Sequence, residues 1–396
     1  MGHTQLLSQP FAQLLLHSFP MTLNFRFAVV SDLHVALPET VWNHPSRMHL
    51  VEVGIPALEE TLDRLAQENL DFLLVPGDLT QHGEAANHAW IAERFAQLPY
   101  PVYVIPGNHD IPVAEANEQS IAPREFPHFY RMFGYEDPSR PYYTQEILPG
   151  VRLIGLNSNT FDANGKQLGR MDDEQMDWLR STLEKSQDEV ILVMIHHNVL
   201  EHLPEQSTSA MGKRYLLENA PELINLLREY KVNLVFTGHL HIQDVAYQEG
   251  LYDITTGSLI SYPHPFRLFQ YQTDRHNRHW LQMESHRIES LPGWANLAEQ
   301  TREMMGDRSE SYMLNLLKQE PLSIPEAEAE QLAPSLRYFW TSVSEGDAQF
   351  EFPNFPPEAR AYFEAFGTET PIDNRALLPL GEGRRIKRIR KLALSL

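Results

Sequence analysis

Apolar residues along the first two-thirds of the chain fall into two kinds of run. Short continuous ones, "FRFAVV" from Phe25, "DFLLVP", "PVYVIP", "VRLIGLN", "EVILVMI" and "VNLVFT", read as buried strands. Between them stand stretches with apolar residues three and four apart, "VGIPALEETLDRLAQEN", "NHAWIAERFAQL", "DDEQMDWLRSTLEK" and "RYLLENAPELINLLREY", which read as amphipathic helices. This alternation, up to about Val235, predicts an α/β domain with parallel strand pairings. From Gln243 to about Arg287 strands follow one another without helices, as in "LYDITTG" and "FRLFQYQTD", which predicts antiparallel hairpins. After Leu291 the period is helical, broken by Pro and by acidic stretches such as "PEAEAEQ".

A chain of 396 residues is too long for one ordinary core, and the change of pattern puts a boundary near Ser290. The expected units are a tail over residues 1–24, an α/β domain over 25–289 and a helical domain over 290–396. The first twenty residues hold no Lys or Arg, so the cationic start of a secretory signal is missing. They read as a weak amphipathic helix or a loose tail, with Met21 an alternative start. No apolar run has spanning length, and the expectation is a soluble, cytoplasmic protein. The absence of cysteine leaves His, Asp, Glu and Asn to hold any transition metal. A net charge of −21, from 32 basic and 53 acidic residues, argues against a long nucleic-acid ligand. Small anions remain open, because bound metal ions reverse the field locally.

Each strong strand runs directly into polar residues that can bind metal. "FRFAVV" leads to Asp32 and His34, "DFLLVP" to Asp78 in "GDLT", and "PVYVIP" to Asn108 and His109 in "GNHD". "VILVMI" leads to His196 and His197, and "VNLVFT" to His239 and His241 in "GHLH". Ligands of open α/β sheets sit outside the carboxyl ends of the strands, so these groups should converge on one site. Imidazole with carboxylate and one amide oxygen suits zinc, manganese or iron. Seven such ligands fit two ions sharing a carboxylate. Gly77, Gly107 and Gly238, each just before a ligand, are expected to let the backbone turn sharply. The histidines of "GHLH" are expected on the same side of an extended segment.

The ordered set D-x-H, GD, GNHD, H and GHxH resembles the calcineurin-like metallophosphoesterases, most closely their bacterial cyclic-nucleotide phosphodiesterase branch. The resemblance covers about Phe25 to His286. It implies a four-layer αββα sandwich, here with a C-terminal, mainly helical extension. It also implies that Asp32, His34, Asp78 and His241 hold one ion, and that Asp78 bridges to a second completed by Asn108, His196 and His239. Between His196 and His197 the family's ligand is the one at the strand end, His196, which leaves His197 as an outer group. His109 matches the catalytic histidine. The implied reaction is in-line hydrolysis of a small phosphoester by a water activated between two ions about 3.5–4 Å apart. A cyclic nucleotide is the first substrate expected, with a glycerophosphodiester or a phosphomonoester as the alternative.

In many relatives the residue three after the bridging Asp is a second Asp that supports the catalytic histidine; here it is Gln81, a neutral amide. Asp110, next to His109, could supply that charge instead. The loop "ALPETVWNHPSRMHL" is a candidate pocket wall, with Trp42 for stacking and Asn43, His44 or Arg47 for polar contacts. The remaining histidines, His49, His82, His88 and His264 among them, are expected at the surface or in a satisfied core. A non-catalytic scaffold on this fold should have lost ligands, and none of the seven is missing. The C-terminal "GRRIKRIRKLALSL" has the makings of a basic amphipathic helix. It would recruit the chain, as a nuclease or a membrane-surface enzyme, to an anionic partner such as a membrane, or dock on its own acidic protein. Related enzymes use C-terminal additions as caps or as homodimer contacts, and both uses stay open.

Overall fold

A computed structural model of the chain describes residues 23–42, 49–187, 189–209, 211–368 and 370–382. The N-terminal tail, the wall candidates Asn43, His44 and Arg47, and the basic C-terminal segment lie outside the described residues. Strand β1 (Asn24–Val29) runs parallel to β2 (Phe72–Val75), and β2 to β3 (Val102–Val104). A second sheet begins with the hairpin β4 (Tyr143–Leu148) and β5 (Val151–Gly155), followed by the small ribbon β6 (Asn159–Phe161) and β7 (Gln167–Gly169). Strands β8 (Val190–Met194), β9 (Leu234–Thr237), β10 (Asp244–Gln248) and β11 (Leu251–Thr255) complete that sheet. The chain then returns to the first sheet with β12 (Pro265–Thr273), β13 (Arg278–Arg287) and, after the C-terminal helices, β14 (Arg375–Glu382). The orders are β14-β13-β12-β1-β2-β3 and β10-β11-β9-β8-β5-β4.

The two sheets face each other through an aromatic layer. Phe27 on β1 stacks on Phe72 of β2 and Phe269 of β12 at 4.9 and 4.8 Å, and meets Phe236 of β9 edge-on at 5.5 Å. Offset and edge-on pairs of this kind add to the gain from burial. Outside the sheets lie the helices that the period of 3.6 predicted. Ala57, Leu58 and Leu62 of Gly54–Leu65 and Ile91 and Phe95 of Ala85–Phe95 join the core of the first sheet. Leu179 and Leu183 of Asp173–Lys185 pack with Leu223, Leu226 and Leu227 of Ala220–Glu229 and with Ile154, Val193 and Val235 of the second sheet. The Asp172 carboxylate caps its helix by accepting from the Gln175 N–H at 2.8 Å. These layers form the αββα sandwich.

The C-terminal helices, Leu297–Lys318, Glu326–Leu332, Phe339–Glu345 and Pro357–Glu364, gather around a separate cluster that includes Met313, Leu336, Phe339 and Phe363. Leu240 and Ile242, from the loop after β9, are buried in the same cluster. None of the described helices is long and apolar enough to cross a membrane.

One buried ionic group ties the loop after β8 to the next hairpin. His202 Nδ1 lies 2.6 Å from Asp244 Oδ2, and its Nε2 lies 3.3 Å from Asp253 Oδ2. Burial alone would lower the imidazole pKa, but the charge of Asp253 and the hydrogen bond with Asp244 outweigh it and push it up to about 10. A folded-state pKa above the unfolded value of about 6.5 stabilises the fold fully below pH 6.5 and loses that contribution as pH rises toward 10. Urea unfolding from pH 6 to 10 should therefore show falling stability, with a flatter fall in His202→Gln. Equal slopes in the two proteins would contradict this.

Candidate metal centre

The carboxyl ends of β1, β2, β3, β8 and β9 meet at one place, and Asp78 lies at its centre. One of its carboxylate oxygens, Oδ2, is 3.7 Å from His34 Nε2 and 3.3 Å from His196 Nε2. The other accepts the main-chain N–H of His109 at 2.8 Å. Two groups of potential ligand atoms share this carboxylate: Asp32, His34, Asp78 and His241 in one, and Asp78, His196 and His239 in the other, each within 4.8 Å of one another. In the first, His241 Nε2 is 3.1 Å from Asp32 Oδ1 and 3.4 Å from His34 Nε2. In the second, Asn108 Oδ1 reaches to 3.1 Å from His196 Nε2.

The backbone at these strand ends is unusual. Asp32, His34, Asp78, His239 and His241 all have φ between 42° and 68°, the left-handed region that non-glycine residues rarely adopt. "GHLH" is therefore not extended. Two left-handed residues turn its histidines toward the ligand groups, while Leu240 between them goes to the helical cluster. Of the preceding glycines, Gly77 makes a turn at φ 102°. Gly107 is needed for close approach instead, since a Cβ there would lie 2.2 Å from Asp78 Oδ1 and 2.3 Å from the Asp78 nitrogen.

Main-chain carbonyls fix the imidazoles. A carbonyl only accepts, so the ring nitrogen facing it carries the proton and the other keeps its lone pair. His196 Nδ1 donates to the Pro76 carbonyl at 2.8 Å, so Nε2, 3.3 Å from Asp78 Oδ2 and 3.1 Å from Asn108 Oδ1, is the position where a proton or a metal ion can bind between them. His239 Nε2 donates to the Arg214 carbonyl at 3.3 Å, which leaves Nδ1. Burial acts to raise the Asp78 pKa, but the charges of His196 and His109 outweigh it and hold the carboxyl well below the usual range. Burial likewise acts against charge on His196, yet Asp78 pushes its pKa up to about 9. Imidazole nitrogens and carboxylate oxygens thus converge in a donor set that suits transition metals, and the proton that Asp78 holds on His196 marks a place a cation can take.

Gln81 and Asp110 act differently from the sequence reading. The group that holds His109 Nδ1, at 2.8 Å, is the main-chain carbonyl of Gln81, not its side-chain amide. Asp110 is fully buried and committed elsewhere. Its carboxylate accepts the N–H groups of Leu79, Thr80 and Gly107 and the Thr80 hydroxyl at 2.8–3.1 Å, stapling the "GDLT" loop to "GNHD". Burial, reinforced by the charge of Asp78, raises its pKa to about 7. His197 turns to the Ser158 hydroxyl at 2.7 Å, with its ring 4.3 Å from that of His239.

Two histidines assigned by default to surface or core line the site. The His49 ring lies 4.9 Å from His34 and 4.7 Å from His241, and the His82 ring stacks on His109 at 5.7 Å. Neither sits at a strand end or in a ligand spacing. The one signal was that His49 closes the loop already marked as a wall and His82 directly follows Gln81. By contrast, His88 and His264 are core residues with both ring nitrogens partnered.

A family model for calcineurin-like phosphoesterases matches residues 25–243, more than half of the chain. The chain belongs to the calcineurin-like phosphoesterase family. The family uses a dinuclear metal centre, and the two ligand groups sharing Asp78 are where this member could hold one. A probable glycerophosphodiester phosphodiesterase of Arcobacter nitrofigilis is 30% identical over 176 residues, 43% of this chain and 56% of that protein. The chain thus spans little more than half the length of that relative. A probable cyclic nucleotide phosphodiesterase of Vesicomyosocius okutanii is 24% identical over 220 residues, covering 55% of this chain and 79% of that one. A 3',5'-cyclic adenosine monophosphate phosphodiesterase of Haemophilus influenzae is 26% identical over 187 residues, 46% of this chain and 59% of the relative. Among solved structures, a dimetal phosphatase from Danio rerio matches with a TM-score of 0.48 at 15% identity, over 66% of this chain and 96% of that one.

The Gly107 contact gives a direct test. Gly107→Ala should destabilise the fold by about 1–3 kcal/mol, since main chain and carboxylate must both shift, and should displace Asp78. Chemical denaturation with metal analysis of the folded protein should show both effects. Unchanged stability together with unchanged metal uptake would contradict the close packing.

Proposed function

We propose that this calcineurin-like phosphoesterase is a dinuclear-metal phosphodiesterase that hydrolyses a small phosphodiester, with a cyclic nucleotide as the substrate. The observation that carries the reading is that Asp78 belongs to both ligand groups. Manganese, iron or zinc suits the mixed imidazole, carboxylate and amide set. When bound, two such ions supply Lewis acidity and an activated water at neutral pH.

The residues divide the work. Asp32, His34, Asp78 and His241 hold one cation; Asp78, Asn108, His196 and His239 hold the other. Ser31 fixes Asp32 by donating to Oδ2 at 2.5 Å, and the His239 N–H donates to the same carboxylate at 3.1–3.2 Å. His109 stays outside both groups. With Nδ1–H on the Gln81 carbonyl, its Nε2 can hold a proton for the leaving oxygen. The carbonyl fixes the orientation of the ring without a carboxylate. Beside the second group the Arg214 guanidinium lies over the Tyr215 ring at 4.7 Å, and Tyr215 is 5.0 Å from His239. This positive group on a strongly acidic protein favours an anionic substrate.

The cyclic-nucleotide choice is supported by the names of the Vesicomyosocius and Haemophilus relatives. The Arcobacter relative supports a glycerophosphodiester as the second reading. Activity of metal-reconstituted protein on cyclic nucleotides, glycerophosphodiesters and phosphomonoesters tests the reading. Asp78→Ala should remove both ions and reduce turnover by more than about a thousandfold, because each group loses a ligand. Full metal content in this variant would refute the shared-carboxylate assignment.

His109→Ala should keep both ions and slow turnover by about 10²–10⁴, most for poor leaving groups. Because the Gln81 main chain holds the ring, Gln81→Ala should leave the alkaline limb of the pH–rate profile unmoved. A displaced limb would show that the side-chain amide sets the protonation of His109 after all.

A further inference from the structure

Outward from His109 the rings continue. His82 stacks beside it with 27° between planes, and Trp42 meets His82 edge-to-face at 4.9 Å and 88°. Trp42 is 55% exposed, although its large apolar ring favours burial. The segments that carry the two rings are both anchored. The His82 N–H donates to Glu84 at 2.9 Å and its carbonyl accepts the Ser120 hydroxyl at 2.7 Å. The turn before Trp42 is tied to Asn87 Oδ1 by the Leu37 N–H and the Thr40 hydroxyl, each at 3.0 Å. Asn87 and Glu84 are in turn bonded to each other at 2.8 Å, so the two halves of the corner rest on the start of one helix.

We propose that Trp42 and His82 are specificity-determining residues that form a stacking corner for a planar ring carried by the substrate's leaving group. The inference rests on the phosphodiesterase reading above, in which His109 marks the leaving-oxygen side. A substituent on that oxygen passes His82 and reaches Trp42. Two rings at right angles let a third stack on one and meet the other edge-on, both favourable arrangements. A purine or an aryl group has the flat face this requires, whereas glycerol or an alkyl chain has none. The corner therefore selects nucleoside or aryl diesters over alkyl diesters.

The test compares Trp42→Ala, Trp42→Phe, His82→Ala and His82→Phe with the parent protein, all reconstituted with manganese. The readout is the ratio of kcat/KM for cyclic AMP to that for glycerophosphoethanolamine, with calorimetric binding of adenosine 5'-phosphate and glycerol phosphate as the second measure. Each Ala variant should lower the ratio about tenfold, mainly through KM, and weaken adenosine 5'-phosphate selectively, while each Phe variant restores most of both. A ratio that stays put, or falls equally in Ala and Phe variants, overturns the proposal. Bis(4-nitrophenyl) phosphate separates it from the reading on which it rests. If the parent protein spares cyclic AMP but cleaves the aryl diester, the nucleotide reading falls, and the aryl-to-alkyl ratio then decides the stacking corner. If no diester is cleaved, the calorimetric comparison decides it.

Discussion

Asp78 carries a carboxylate into the interior, and the meeting of the two sheets is organised around neutralising it. A buried charge costs several kcal/mol unless it is paired and hydrogen-bonded. Asp78 follows β2 of the first sheet; His196, whose ring faces it, follows β8 of the second. The pairing therefore works only when the sheets face each other in one register, which the Phe27, Phe236 and Phe269 layer also demands. Apolar packing supplies the driving force, and the charge supplies the requirement for one particular alignment.

The same requirement explains the strained backbone. Five potential ligands in the left-handed region is a concentration of unfavourable conformations, each costing of order 1–3 kcal/mol. Short polar bonds keep them there. Asp110 binds "GDLT" to "GNHD" through four donors, the Asp32 carbonyl accepts from Ser258, and the His34 N–H donates to the Asp78 carbonyl. Such over-determined loops hold side chains still, as a preorganised ligand set demands.

The strands, their alternation with helices and the polar residues at their ends were legible because each is a local pattern. Periodicity shows burial, and a strand that stops at Asp32 or Asp78 shows where the chain reaches the crevice. What a main-chain atom does was not legible. Gln81 looked like a weak substitute for a carboxylate, yet its carbonyl, which any residue would bring, is the partner of His109. His49 and His82 were hidden for a related reason: loops return to the site by tertiary path, and no spacing records it. Strand β14 escaped notice because "RALLPLGE" contains Pro379, lacks β-branched residues and follows a long helical stretch; it pairs with β13 at the sheet edge, where proline is tolerated.

The helical C-terminal segment carries no readable chemistry, but its packing gives it a part in the site. In "GHLHI" the residues alternate between two environments: His239 and His241 face the ligand groups, while Leu240 and Ile242 are buried among Met313, Leu336 and Phe339. The loop is thus held from both sides. Its left-handed turns expose no apolar surface only because the helices cover Leu240 and Ile242. A shift of those helices would move both histidines, one in each ligand group, and an ion held there would in turn fix the platform on which the helices rest. Reciprocity of this kind is a property of any two interactions that share a segment. Here the shared segment is five residues long, which makes the helical extension part of the architecture of the candidate metal centre.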